Sequence, residues 1–140
     1  MGIVWPEKGS PTAIEASLET LARIERMGPA VVIPGHRAPF TDVAGALARA
    51  RSRLAAFRAD PRKNARHIAK VLLMFALLER GSMPVDEVPE YLERVPAYRL
   101  LSEAFLDQAP REMAGWILAD LERSGAIAIA ADAATPRVPA

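Results

Sequence analysis

Apolar residues return along most of this chain at helical spacing, and only two short stretches break that rhythm. From Thr12 onward, Ile14, Leu18, Leu21 and Met27 recur every few residues, Thr12 and Glu15 stand at the capping-box spacing, and Gly28-Pro29 ends the run. The pattern predicts an amphipathic helix over 12–27. Val43, Leu47, Ala50, Leu54 and Phe57 then repeat as i, i+4, i+7, i+11 and i+14 behind Thr41 or Asp42, either of which can cap. This predicts a long helix to about residue 58. Asp60-Pro61 supplies a cap followed by proline at the first helical position, opening a helix through Ile68, Val71, Leu72, Phe75 and Leu78 that stops before Gly81. Leu73, Met74 and Leu77 fill the remaining faces, so this helix is expected to be apolar nearly all round and to sit at the centre of a C-terminal core.

The first break is 30–33, Ala-Val-Val-Ile, too short and too β-branched for a helix and bounded by Gly28-Pro29 and Pro34-Gly35. It reads as a buried strand, and helix, turn, strand belongs to an α/β layer. A single strand cannot make a sheet, and only the weak stretch Gly2-Ile3-Val4-Trp5 precedes it, so the N-terminal third reads as a fragment of a larger sheet domain. Beyond Gly81, Pro84, Pro89, Pro96 and Pro110 divide the chain into helical pieces predicted near 85–94, 97–107 and 111–124, with Pro89 restarting or kinking the first. The last carries Met113, Trp116, Ile117 and Leu121 on one side and ends at Gly125. The second break, 126–130, alternates alanine and isoleucine and predicts an edge strand, followed from residue 132 by a flexible tail with Pro136 and Pro139 and room for a short return. The expected class is mainly α: a helical bundle or winged-helix-like domain over 59–131, preceded over 1–58 by a helix-strand-helix remnant of an α/β layer.

Composition narrows the chemistry. The 140 residues, 51% hydrophobic and 25% charged, suit one globular domain, or a small domain with part of another. Cysteine is absent, which removes disulfides, thiolate catalysis and zinc-finger sites. No apolar run approaches the roughly 20 residues of a membrane span, and residues 1–11 lack a signal-peptide pattern, so the reading is a soluble, cytoplasmic protein without a membrane partner. There is no phosphate-cradling glycine run and no G-x-S-x-G elbow. Charge is segregated: Arg49, Arg51, Arg53, Arg58, Arg62, Lys63, Arg66 and Lys70 stand against Asp60 alone, whereas 79–122 hold ten acids against four arginines. Such asymmetry reads as a basic helix lying on an acidic partner within the fold, or as a nucleic-acid footprint. In the second reading a winged-helix module would use Arg49, Arg53, Arg58, Arg62, Lys63, Arg66 and Lys70 for phosphate contacts, because the helix at 111–124, in the place of a recognition helix, is too acidic for a groove.

The candidate for metal chemistry is His36. An apolar strand, Val31-Val32-Ile33, that ends in the corner Pro34-Gly35 would present the next side chain at a sheet edge, where a metal ligand has to stand. The only other histidine, His67, sits within the first turns of a helix and reads as a surface or packing residue. With Val31 to His36, the helix around Ser17-Leu18-Glu19-Thr20-Leu21 and the helix from Asp42 to Arg58, the chain resembles the C-terminal part of a metallo-β-lactamase-fold hydrolase of the subgroup with a winged-helix-like accessory domain. The resemblance implies that His36 is the last ligand of a dinuclear site, although Arg37 follows where the family commonly has glycine. It also implies an H-x-H-x-D-H motif upstream, which these residues do not contain. In the intact parent, zinc or another divalent metal would generate the attacking hydroxide; this chain alone would be incompetent, with no catalytic residue and no tightly bound metal of its own. Its expected partners are the upstream catalytic region and a second copy, since a helix at 12–27 and a strand at 30–33 without sheet neighbours favour self-association.

Overall fold

The computed structural model describes residues 12–34 and 38–137, which fall into two compact units, one ending at Asn64 and one beginning at Ala65. The first unit contains α1 (Thr12–Met27) and α2 (Val43–Ala59), packed on each other, and the opening of α3 (Pro61–Arg80). Two of the caps read from sequence, Asp42 and Asp60, are in place. Asp42 Oδ1 accepts from Gly45 N–H at 3.0 Å, and Asp60 Oδ1 accepts from Lys63 N–H at 3.0 Å, each satisfying a donor that the first turn leaves open. Leu47, Leu54 and Phe57 of the predicted seam are buried. A bidentate pair joins the two helices, Arg51 donating to both Glu25 oxygens at 2.9 and 2.6 Å. That hydrogen bond, reinforced by the charge, holds the Glu25 carboxyl below its usual range.

The expected buried strand is corrected. Residues 30–33 form no strand: Val32 and Phe40 exchange two backbone hydrogen bonds, 2.9 and 3.0 Å, as an isolated antiparallel bridge, while Val31 and Ile33 are exposed, Ile33 to 79%. A β-branched strand becomes buried where partner strands flank its edges and helices or a second sheet cover its faces, and among the described residues Val32 has only its bridge to Phe40.

The second unit runs α3, β1 (Met83–Pro84), a 3₁₀ turn (Val85–Glu87), α4 (Val88–Arg94), α5 (Pro96–Leu101), a π-helical turn (Ser102–Leu106), α6 (Pro110–Arg123), β2 (Ile127–Ala130) and β3 (Ala133–Pro136). Gly81 stops α3 with φ +81°, a conformation costly for residues with a Cβ, and donates to Leu77 O at 2.8 Å. Pro89, Pro96 and Pro110 each fall in the first turn of a helix, where a missing N–H costs nothing. Pro89 thus restarts the chain after the 3₁₀ turn rather than kinking a longer helix. The core joins Ile68, Leu73 and Leu77 of α3, Val88 and Leu92 of α4, Tyr98 and Leu101 of α5, and Met113, Ile117 and Leu121 of α6, with α4 packed on α6. Tyr98 is fully buried, its hydroxyl donating to Ala69 O at 3.3 Å, and burial pushes its pKa far above the usual phenol value.

Three further expectations change. The strands form an antiparallel sheet in the order β1-β3-β2, so β2 is the edge strand predicted, but Ala133–Pro136, read as a flexible tail, is the middle strand. Helix α3 is not apolar on all sides that pack: Phe75 is 53% exposed and Leu78 also faces solvent, because the buried stripe follows Ala65, Ile68, Ala69, Leu73, Ala76 and Leu77 instead. Trp116, expected in the α6 core stripe, is only half-buried, and Ala114 and Leu118 are buried alongside Met113, Ile117 and Leu121.

Candidate functional site

The metal-ligand candidate, His36, lies outside the described residues, as does Arg37 beside it. Among the described residues no group of three or more histidines, aspartates or glutamates is placed to hold a metal ion, so the zinc implied by the family resemblance has no cradle in them. His67 is a half-buried residue of α3.

The basic stretch is divided between α2 and α3. On α2, Arg49 bonds the Asp42 carboxylate with both guanidinium nitrogens at 3.1 Å, and Arg53 and Arg58 are exposed. Arg62 and Lys63 are exposed in the first turn of α3. Arg66 and Lys70 lie along α3 at i, i+4 and face α6, where they meet Asp120. Lys70 Nζ donates to Oδ2 at 3.3 Å, Arg66 stands 3.6 Å from the same oxygen, and Arg123, one turn along α6, donates to Oδ1. Burial pushes the Asp120 carboxyl upward, but the Lys70 hydrogen bond and the charges of Lys70, Arg123 and Arg66 outweigh it and hold the group below the ordinary range. Part of the charge segregation is therefore neutralised inside the fold.

The same face holds Trp116. Its Nε1–H donates to Gln108 Oε1 at 3.0 Å, and the Arg66 guanidinium carbon lies 3.9 Å from the ring centroid. That is a close cation–π contact, and it fixes the arginine head that α3 delivers. Asp120, Trp116, Gln108 and Arg123 were not among the residues that sequence reasoning selected. The spacing Trp116, Asp120, Arg123 on one side of α6 was readable as i, i+4, i+7, but nothing local ties it to a lysine 50 positions earlier.

A second feature lies in the first unit: a groove of about 290 Å³ lined by Glu25, Gly28, Pro29, Val43, Ala44 and Leu47. Its one charged group, Glu25, is already engaged by Arg51. No helix among the described residues is long and apolar enough to cross a membrane. Comparison with protein-family models, with curated proteins and with solved structures returned no match.

Proposed function

We propose that this chain is the C-terminal portion of a metal-dependent hydrolase of the metallo-β-lactamase type, with residues 1–58 the end of the catalytic domain and 59–131, extended through β3 to Pro136, a winged-helix-like accessory domain. The observation that carries the reading is the element order of the second unit: a helix, a short strand, helices, then a hairpin, with the last strand between the other two. Its position after a strand-like Val31-Val32-Ile33 and a Pro-Gly-His corner matches what the resemblance implies. Exposure of Val31 and Ile33 supports a missing sheet neighbour, because β-branched pairs of this kind are usually covered. In this reading zinc or another divalent metal belongs to the intact parent, His36 is one ligand of its site, and the accessory domain serves substrate binding, pocket closure or dimerisation in a cytoplasmic enzyme. In this reading the chemistry resides in the upstream region.

The test is made on a longer polypeptide containing this chain: His36→Ala should lower bound metal and hydrolytic turnover at least tenfold while leaving the helical signal unchanged. Full metal content and full activity in that variant would refute the assignment. The nucleic-acid reading is weakened by the division of the basic stretch between two helices and by the pairing of Arg49 with Asp42.

A further inference from the structure

Three cations share one carboxylate on the α3–α6 face, and one negative charge cannot balance them. Arg66, Lys70 and Arg123 all reach Asp120, and none of them forms an ion pair with another carboxylate among the described residues. Two positive charges remain in excess. The heads are also accessible: Arg66 is 42% exposed and Arg123 75% exposed, while Asp120 retains only 16%. An arriving anion would therefore meet the cations rather than the carboxylate. Asp120 and the Trp116 ring already hold these long side chains in place, which removes much of the rotamer entropy that unanchored surface arginines and lysines lose on binding.

We propose that Arg66, Lys70 and Arg123 form a binding site for a phosphate-bearing anion, with Asp120 as the internal counter-ion that positions them. Guanidinium groups present paired N–H donors that match phosphate oxygens, and the ammonium adds a point charge beside them. Long-range attraction is small because the chain carries a net charge of only +1, so recognition is by contact and is sensitive to salt. The site requires only residues of the second unit and does not depend on the hydrolase reading.

The experiment is a titration of the ¹⁵N-labelled 140-residue chain with inorganic pyrophosphate, following the Trp116 indole Nε1–H signal, assigned through Trp5→Phe. The expected result is a saturable shift with Kd on the order of 1 mM. Arg123→Gln, at an exposed helix end and with the fold checked by the unchanged dispersion of the same spectra, should weaken binding several-fold, and Asp120→Asn should tighten it. A parallel titration with a short oligothymidylate separates the sources: tighter binding to the oligomer identifies phosphodiesters, whereas binding of pyrophosphate alone identifies a small phosphate ligand. No saturable shift at tens of millimolar pyrophosphate, or an Arg123→Gln titration identical to the parent's, would overturn the proposal.

Discussion

Asp120 shows how much one side chain can organise. Its carboxyl is held below the usual range, so the unfolded chain binds its proton at a higher pH than the folded one does. The stabilisation is therefore complete above the unfolded value, about 3.9, and is lost as pH falls through the depressed folded value. Asp120→Asn should cost about 1 kcal/mol at neutral pH and flatten the acid limb of a urea-midpoint-versus-pH curve below about pH 4. An unchanged acid limb would show that the cluster does not contribute to stability. Gly45 presents a different constraint. A Cβ there would lie 2.3 Å from an Asp42 carboxylate oxygen, so Gly45→Ala must displace the capping side chain. Its gain in helix propensity, about 1 kcal/mol, should be offset by loss of the cap, leaving no net stabilisation in urea denaturation. Tyr98→Phe removes the buried donor to Ala69 O and should cost about 1 kcal/mol by the same measurement.

Among the elements, legibility follows where each one's stabilising contacts lie. Helices α1, α2, α3 and α6 were readable because local signals agree within each segment: apolar period and terminator in all four, and a capping aspartate, Asp42 or Asp60, at the start of α2 and α3. Strand β3 was not, since Ala133-Ala134-Thr135-Pro136 has little β propensity and becomes a strand only through pairing with β1 and β2 on either side. The exposed Val31 and Ile33 failed for the reverse reason: a strand-forming sequence without partners. The face of α3 differs from the expectation because composition alone cannot say which of several apolar stripes turns inward; the buried one includes Ala65, Ala69 and Ala76 and leaves Phe75 exposed. The Asp120 cluster depends on two helices far apart in sequence, beyond any local pattern. The β2–β3 turn leaves a prediction of its own. Ala131 and Asp132 both have positive φ, 49° and 57°, in a two-residue hairpin loop that favours Asn-Gly. Ala131→Asn combined with Asp132→Gly should stabilise the fold by about 1 kcal/mol in urea, since the Asp132 carbonyl that accepts from Val85 N–H is backbone and is retained. A destabilised double variant would contradict that turn geometry.

For the whole molecule, the central claim is that this chain completes a larger metal-dependent hydrolase rather than forming a metal site itself. The second unit has an extensive core, whereas none of the described side chains of α1 is buried and the helix ends in an exposed Met27. Under the proposed function, the stability of this N-terminal region would draw on neighbours outside the described residues. The measurement that bears on this most directly is a zinc titration of the purified 140-residue chain, read together with its mass in solution. The account predicts no tight, stoichiometric zinc binding, because His36 lacks the upstream ligands that the resemblance implies. One tightly held zinc ion per monomer would contradict it, showing that His36 completes a site within these residues.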